Sequence, residues 1–240
     1  MNKNPEDKDK SLIEHLEELR KTLISCFLSV AAALPFAFYF SPKILDLIIN
    51  TFLKDKELYY FAPMEVFLIQ LKLSFLVSLA VCFPFIAKQL WNYLLPALYD
   101  NEKKFIKIMV LSSSFLFISG VSFCLIVIFP LIINFALNFA QNNVIAMFGV
   151  ANTVNLALNL AFVFGLMFQI PLITNLLIHW GILSYETVSS KRRYVIVLLL
   201  ICSALLTPPD IISQILLFIP TYALFELGLI FSRKTEKSEE

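Results

Sequence analysis

Leu23-Ile-Ser-Cys-Phe-Leu-Ser-Val-Ala-Ala-Ala-Leu-Pro-Phe-Ala-Phe-Tyr-Phe40 runs 18 residues without a charge. As a helix rising about 1.5 Å per residue it measures about 27 Å, close to the roughly 30 Å of a bilayer's hydrocarbon core. We read it as a membrane span, and that reading decides the fold because the rest of the chain repeats its composition. Of 240 residues 59% are hydrophobic, 24 are Phe and only 5 are Gly, with a mean hydropathy of +0.79. This is too apolar for one soluble domain and marks an all-α integral membrane protein. A net charge of +1 argues against nucleic acid as a partner; what matters is where the charges lie along the chain. Pro35 falls inside the span, where neighbouring helices and water satisfy the carbonyl it frees.

Upstream, Ser11 to Leu23 reads as the one soluble-looking helix. Ser11 and Glu14 form a capping box, and Leu12, Leu16, Leu19 and Leu23 make an apolar stripe. Glu14, Glu17, Glu18 and Lys21 face the other way, with Glu17 and Lys21 spaced for an i,i+4 ion pair. Residues 1–10 are polar and expected to be a disordered tail. No small-residue cleavage site follows the first apolar run, so no removable signal peptide is expected. Cys26, Cys82, Cys124 and Cys202 each sit in an apolar run with no metal-ligand spacing and read as small apolar side chains. No cofactor is expected.

Downstream, Lys43 to Leu53 has helical periodicity but is too short to span, and is expected to lie along the membrane face after Ser41-Pro42. The second span runs from Ala62-Pro63-Met64-Glu65 to about Phe85 and contains Lys72. A lysine there snorkels outward, pairs with Glu65 about two turns away, or lies above the lipid under a cap built from residues 41–62. Residues 87–104 are polar and aromatic, as an interfacial loop should be. The third span, Phe105 to about Ile133, is serine-rich and closed by Pro130. The fourth runs from Leu156 to about Ile178 and holds Gln169, either interhelical glue or the lining of a groove. Two short stretches, Tyr194 to Thr207 and Ile211 to Phe231, flank Pro208-Pro209-Asp210. The first is only about 21 Å long, short enough to thin a bilayer locally.

This gives a single six-helix membrane domain, 11–232, with the last two helices short, and a cytoplasmic tail, 233–240. The N-terminal segment, the loop from Lys88 to Lys107, Lys191 to Arg193 and the tail from Arg233 onward hold fifteen of the 19 Lys and Arg. Lys43, Lys54 and Lys56 fall on the other side and Lys72 inside a span, so the positive-inside rule puts both termini in the cytoplasm.

With two distant histidines, no Gly-rich phosphate loop and no nucleophile motif, catalysis has no candidate constellation and an enzyme is not expected. His15-Leu-Glu-Glu-Leu-Arg20, Gln89-Leu-Trp91, Pro96-Ala-Leu-Tyr-Asp-Asn-Glu102 and Leu206-Thr-Pro-Pro-Asp-Ile-Ile-Ser-Gln214 together resemble the TatC family of twin-arginine translocase subunits, from about Ser11 to Arg233. The resemblance implies a multi-pass protein of the bacterial cytoplasmic (inner) membrane that binds the twin-arginine signal peptides of folded cargo through Glu18, Arg20, Glu102 and the aromatic Tyr93. It further implies contact of Thr207 and Gln214 with single-span TatA/TatB-type subunits, in homo- and hetero-oligomers surrounded by lipid. Three departures stand out: Gln169 replaces the family's usual buried acid, Tyr93 its usual Phe, and a proline expected near Phe52 is missing. The alternative, a small secondary transporter or channel, would use Lys72, Gln169 and Glu226 as pathway residues. Neither inverted repeats nor matched helix breaks accompany them. A membrane scaffold without a cargo role would leave Glu18 and Glu102 without a task.

Overall fold

The computed structural model describes residues 12–52, 58–94, 103–138, 148–179, 184–206 and 211–236. Helix α1 (Leu12–Phe52) is continuous over 41 residues, about 60 Å. The separate surface helix expected after Ser41-Pro42 is instead its extension. Pro42 cannot donate to the carbonyl of Phe38, and the buried Ser41 hydroxyl donates to that same oxygen at 2.8 Å. With the freed acceptor satisfied, the helix continues. Leu45 and Ile48 of the extension are buried in the main core cluster.

Helix α2 (Glu65–Leu94) returns alongside α1. Helix α3 (Lys103–Phe123) passes into a wide π-helical turn, Cys124–Ile128, and then α4 (Phe129–Asn138). The N–H of Phe129 reaches the carbonyl of Cys124, five residues back. Pro130, expected to close this span, lies just past the turn and inside the helix. An α-helical proline clashes with the carbonyl four residues before it, and the wider turn relieves that crowding.

Helix α5 (Val150–Met167) starts before the expected Leu156, and α6 (Ile170–His179) follows a two-residue break. Pro171 makes that break, since it has no N–H for the carbonyl of Met167 four residues back and its ring crowds that carbonyl. Helix α7 (Tyr185–Ser190) is capped by Ser184, whose hydroxyl accepts the N–H of Thr187 at 3.2 Å. Helices α8 (Arg192–Leu206) and α9 (Ile211–Glu236) form the last hairpin. Strands β1 (Leu58–Tyr59) and β2 (Phe148–Gly149) pair in parallel across one end.

Helix α5 is the centre. Its Val154, Ala157, Ala161 and Phe164 are fully buried, with α2 and α3 packed on it. Helix α1 flanks α2 on one side, while α6 carries α9, which carries α8, on the other. The outer surface is apolar: Phe27, Phe36, Tyr39, Leu111 and Phe115 are all more than two-thirds exposed. A surface of this kind faces lipid rather than water. Among the described residues four helical runs are long and apolar enough to cross a membrane, Leu16–Phe52, Glu65–Tyr93, Lys107–Leu137 and Val150–Ile178, with a shorter apolar helix at Gln214–Ile230. The 15 residues of α8 measure only about 22 Å.

Candidate functional site

The charged end of α1 is held against the end of α2. Gln89 Nε2 donates to Ser25 Oγ at 3.2 Å, joining the two antiparallel helices. Glu18 lies seven residues before Ser25 and Leu94 five residues after Gln89, about 10 and 8 Å along their axes, so both project beyond this bond at the same end. Trp91 of α2 is buried in a cluster with Met109 of α3. The first residue of α3, Lys103, is therefore at this end too. On α1, Lys21 pairs with Glu17 at 2.8 Å, Glu18 is half-buried and Arg20 is exposed; on α2, Tyr93 is half-buried. Glu102 lies outside the described residues. The result is an acid-bearing helical edge beside an aromatic helix end.

Deeper in the bundle, Gln169 is buried and its amide is fully used. Ser113 Oγ donates to its Oε1 at 2.6 Å, and its Nε2 donates to the carbonyls of Ser113 at 3.2 Å and Gly165 at 3.4 Å. The break before Pro171 lets this side chain reach across to α3. We expect Gln169→Leu to lower stability by about 1–3 kcal/mol, the cost of leaving buried polar groups unpaired, as a reduced thermal unfolding midpoint of the detergent-solubilised protein. In Gln169→Glu one carboxyl oxygen would still accept from Ser113 Oγ, while the other would face the two carbonyl oxygens and bond one of them only if protonated. An unchanged midpoint for the Leu variant would reduce Gln169 to packing.

Glu65 accepts the N–H of Phe61 at 3.1 Å, and no ion pair joins it to Lys72, which is exposed. In the last hairpin Gln214 Nε2 donates to the carbonyl of Leu200 at 3.1 Å, tying the start of α9 to α8. Thr207 lies outside the described residues. Glu226 accepts from Tyr222 Oη at 2.7 Å and pairs with Arg192 at 3.2 Å. Lys72, Gln169 and Glu226 thus sit in three separate places with different neighbours.

The profile described as Sec-independent protein translocase protein (TatC) matches residues 14–220. The chain belongs to the TatC family. It is similar to the Sec-independent protein translocase protein TatC of Escherichia coli O6:H1 strain CFT073, 38% identical over 233 residues that cover 92% of this chain and 88% of that one. The TatC of Escherichia coli strain K12 is 37% identical with the same coverage. A crystal structure of a twin arginine translocase receptor, TatC in DDM, superimposes with a TM-score of 0.83 at 30% identity, covering 91% of this chain and 99% of that one. As a TatC protein the chain is a membrane-embedded component of a protein translocase and not an enzyme, and it works with other Tat subunits.

Sequence reasoning missed the Ser113 end of the Gln169 clamp and the tie from Arg192 to Glu226. Each joins positions far apart in this TatC chain, where no spacing rule applies. The Tyr222–Glu226 bond, at i,i+4 on one helix, was the one readable signal.

Proposed function

We propose that this chain is the receptor and core subunit of the twin-arginine translocase, binding twin-arginine signal peptides of folded proteins and recruiting single-span TatA/TatB-type subunits. It does so in the bacterial cytoplasmic membrane as a single six-span domain, 11–232, with both termini and the 233–240 tail cytoplasmic, in homo- and hetero-oligomers. The observation that supports this best is the Ser25–Gln89 bond, which gathers Glu18 and Tyr93 at one end of the bundle, the end where α3 begins at Lys103. A carboxylate offers two oxygens to a planar guanidinium fork, whereas an ammonium is a compact point charge, so spaced glutamates favour Arg-Arg over Lys-Lys. Exposed pairs contribute only about 0–1 kcal/mol each, so affinity also needs the signal peptide's apolar stretch along the helices.

Deleting the gene should block export of a folded reporter carrying an Arg-Arg signal, and the wild-type chain should restore it. Export that continues after deletion would reject the proposal. The orientation has its own test: a reporter active only when exported should be silent when fused after Lys237 and active when inserted at 54–57. Activity at Lys237 would overturn the topology. A photo-crosslinker at Thr207 or Gln214 should capture a single-span subunit in cells making the full translocase; adducts with lipid alone would remove that contact.

A further inference from the structure

Lys72 lies seven residues into the 30-residue α2, about 11 Å from the helix midpoint and so within the half-thickness, about 15 Å, of a hydrocarbon core. A lysine within the hydrocarbon layer is costly unless its charge is answered or its head reaches the interface. Glu65 is engaged with the Phe61 backbone, and among the described residues none forms an ion pair with Lys72. The side chain instead lines a groove of about 340 Å³ between α1, α2 and α5. Leu34, Phe75, Leu158 and Phe162 are among its apolar walls, and Asn159 is the other polar group there. Lys72 and Asn159 are both exposed, so their donors are accessible from the surrounding membrane.

A groove with apolar walls and two donors, one of them cationic, matches an amphiphile with an anionic head and an alkyl tail. We propose that this groove binds a phospholipid, its phosphate on the Lys72 ammonium and the Asn159 amide and one acyl chain along the apolar walls. An anionic headgroup is preferred, because a zwitterionic one brings its own cation to compete with Lys72. The lysine reaches along its stem toward the headgroup layer nearer Glu65, and the lipid fills the space between α1 and α5.

Native mass spectrometry of the detergent-solubilised full chain, titrated with phosphatidylglycerol or phosphatidylcholine, tests this. We expect one phosphatidylglycerol to bind at least tenfold more tightly than phosphatidylcholine. Lys72→Leu should remove that preference, Lys72→Arg should keep it, and Asn159→Leu should weaken binding with the fold intact. Glycerol phosphate, a head without chains, should fail to compete. Undiminished phosphatidylglycerol binding by Lys72→Leu, equal binding of the two lipids by the wild type, or full competition by glycerol phosphate would each overturn the site. So would a photo-crosslinker at Asn159 that captures a single-span polypeptide instead of lipid in intact membranes.

Discussion

Glu18→Gln and Glu102→Gln are each expected to bind an Arg-Arg signal peptide at least tenfold more weakly than the wild type. The substitution keeps the shape and removes the charge, so what is lost is a hydrogen bond to a charged group, about 1.5–3 kcal/mol, or roughly ten- to a hundredfold in affinity. Glu18 is half-buried on α1, which shields it from some of the solvent screening that makes exposed pairs weak. The nearby Lys21 already pairs with Glu17 and competes less for a neighbouring carboxylate. Glu14 is the control, because the capping box with Ser11 expected from the sequence, which lies outside the described residues, concerns helix stability, and its loss should leave the preference for Arg-Arg over Lys-Lys in place. Titration of a labelled peptide against solubilised protein measures all three. Wild-type affinity with continued rejection of Lys-Lys in the Glu18 and Glu102 variants would move the recognition site elsewhere.

Gly120→Val should produce the largest loss of stability. Helices α3 and α5 approach so closely that a Cβ at Gly120 would lie 2.6 Å from the carbonyl oxygen of Phe164 and 2.8 Å from Cγ of Phe168. Backbone cannot swing aside as a flexible side chain can, so the helices must separate. Gly165 makes the reciprocal contact, its Cβ falling 2.7 Å from the Phe117 ring. That ring is fully buried and stacked on Phe83 at 4.1 Å. Overpacking costs about 1–3 kcal/mol even where a core yields, and here it would also strain the clamp that joins Ser113 of α3 to Gln169 in the break just after α5. We expect a sharply lowered thermal midpoint in detergent and a poor yield of folded protein. Ile118→Val, on the exposed face of α3, should behave as wild type. An unaltered midpoint for Gly120→Val would mean that α3 and α5 are not in close contact.

The apolar runs and their order were legible in the sequence because composition and length alone identify a helix that suits a bilayer. Their ends were not, because those depend on where single polar groups find partners. Pro42 looked like a boundary, and the Ser41 hydroxyl bonded to Phe38 removes the reason for one. Asn152 and Asn155 made the start of α5 look like loop, yet with Asn159 their spacing is helical, and Asn152 and Asn159 are both exposed while Asn155 is half-buried. The acidic residues of α1 were readable as a solvated edge, but not the Ser25–Gln89 bond that sets this edge beside α2. Its two ends are 64 positions apart. Gln169 was visible as an anomaly, and only the tertiary structure supplies Ser113.

The wide turn at Cys124–Ile128 also sets the angular phase of everything after it. An α-helix advances about 100° per residue, so one additional residue in a turn rotates the following segment by about that amount. Before the turn, α3 faces the bundle with Ser113, Phe117, Gly120 and Cys124; beyond it the inward positions are Phe129 and Ile133, with Leu131 facing out. Ile128, within the turn, is also buried, and a uniform α-helical repeat from Cys124 and Ile128 would bring Leu131 or Ile132 inward next, rather than Phe129 and Ile133. Losing a single residue between 124 and 128 would therefore do more than shorten the span. It would turn the far half by more than a quarter revolution, present Phe129 and Ile133 to the lipid, and pull them away from Ala157, the residue they now enclose.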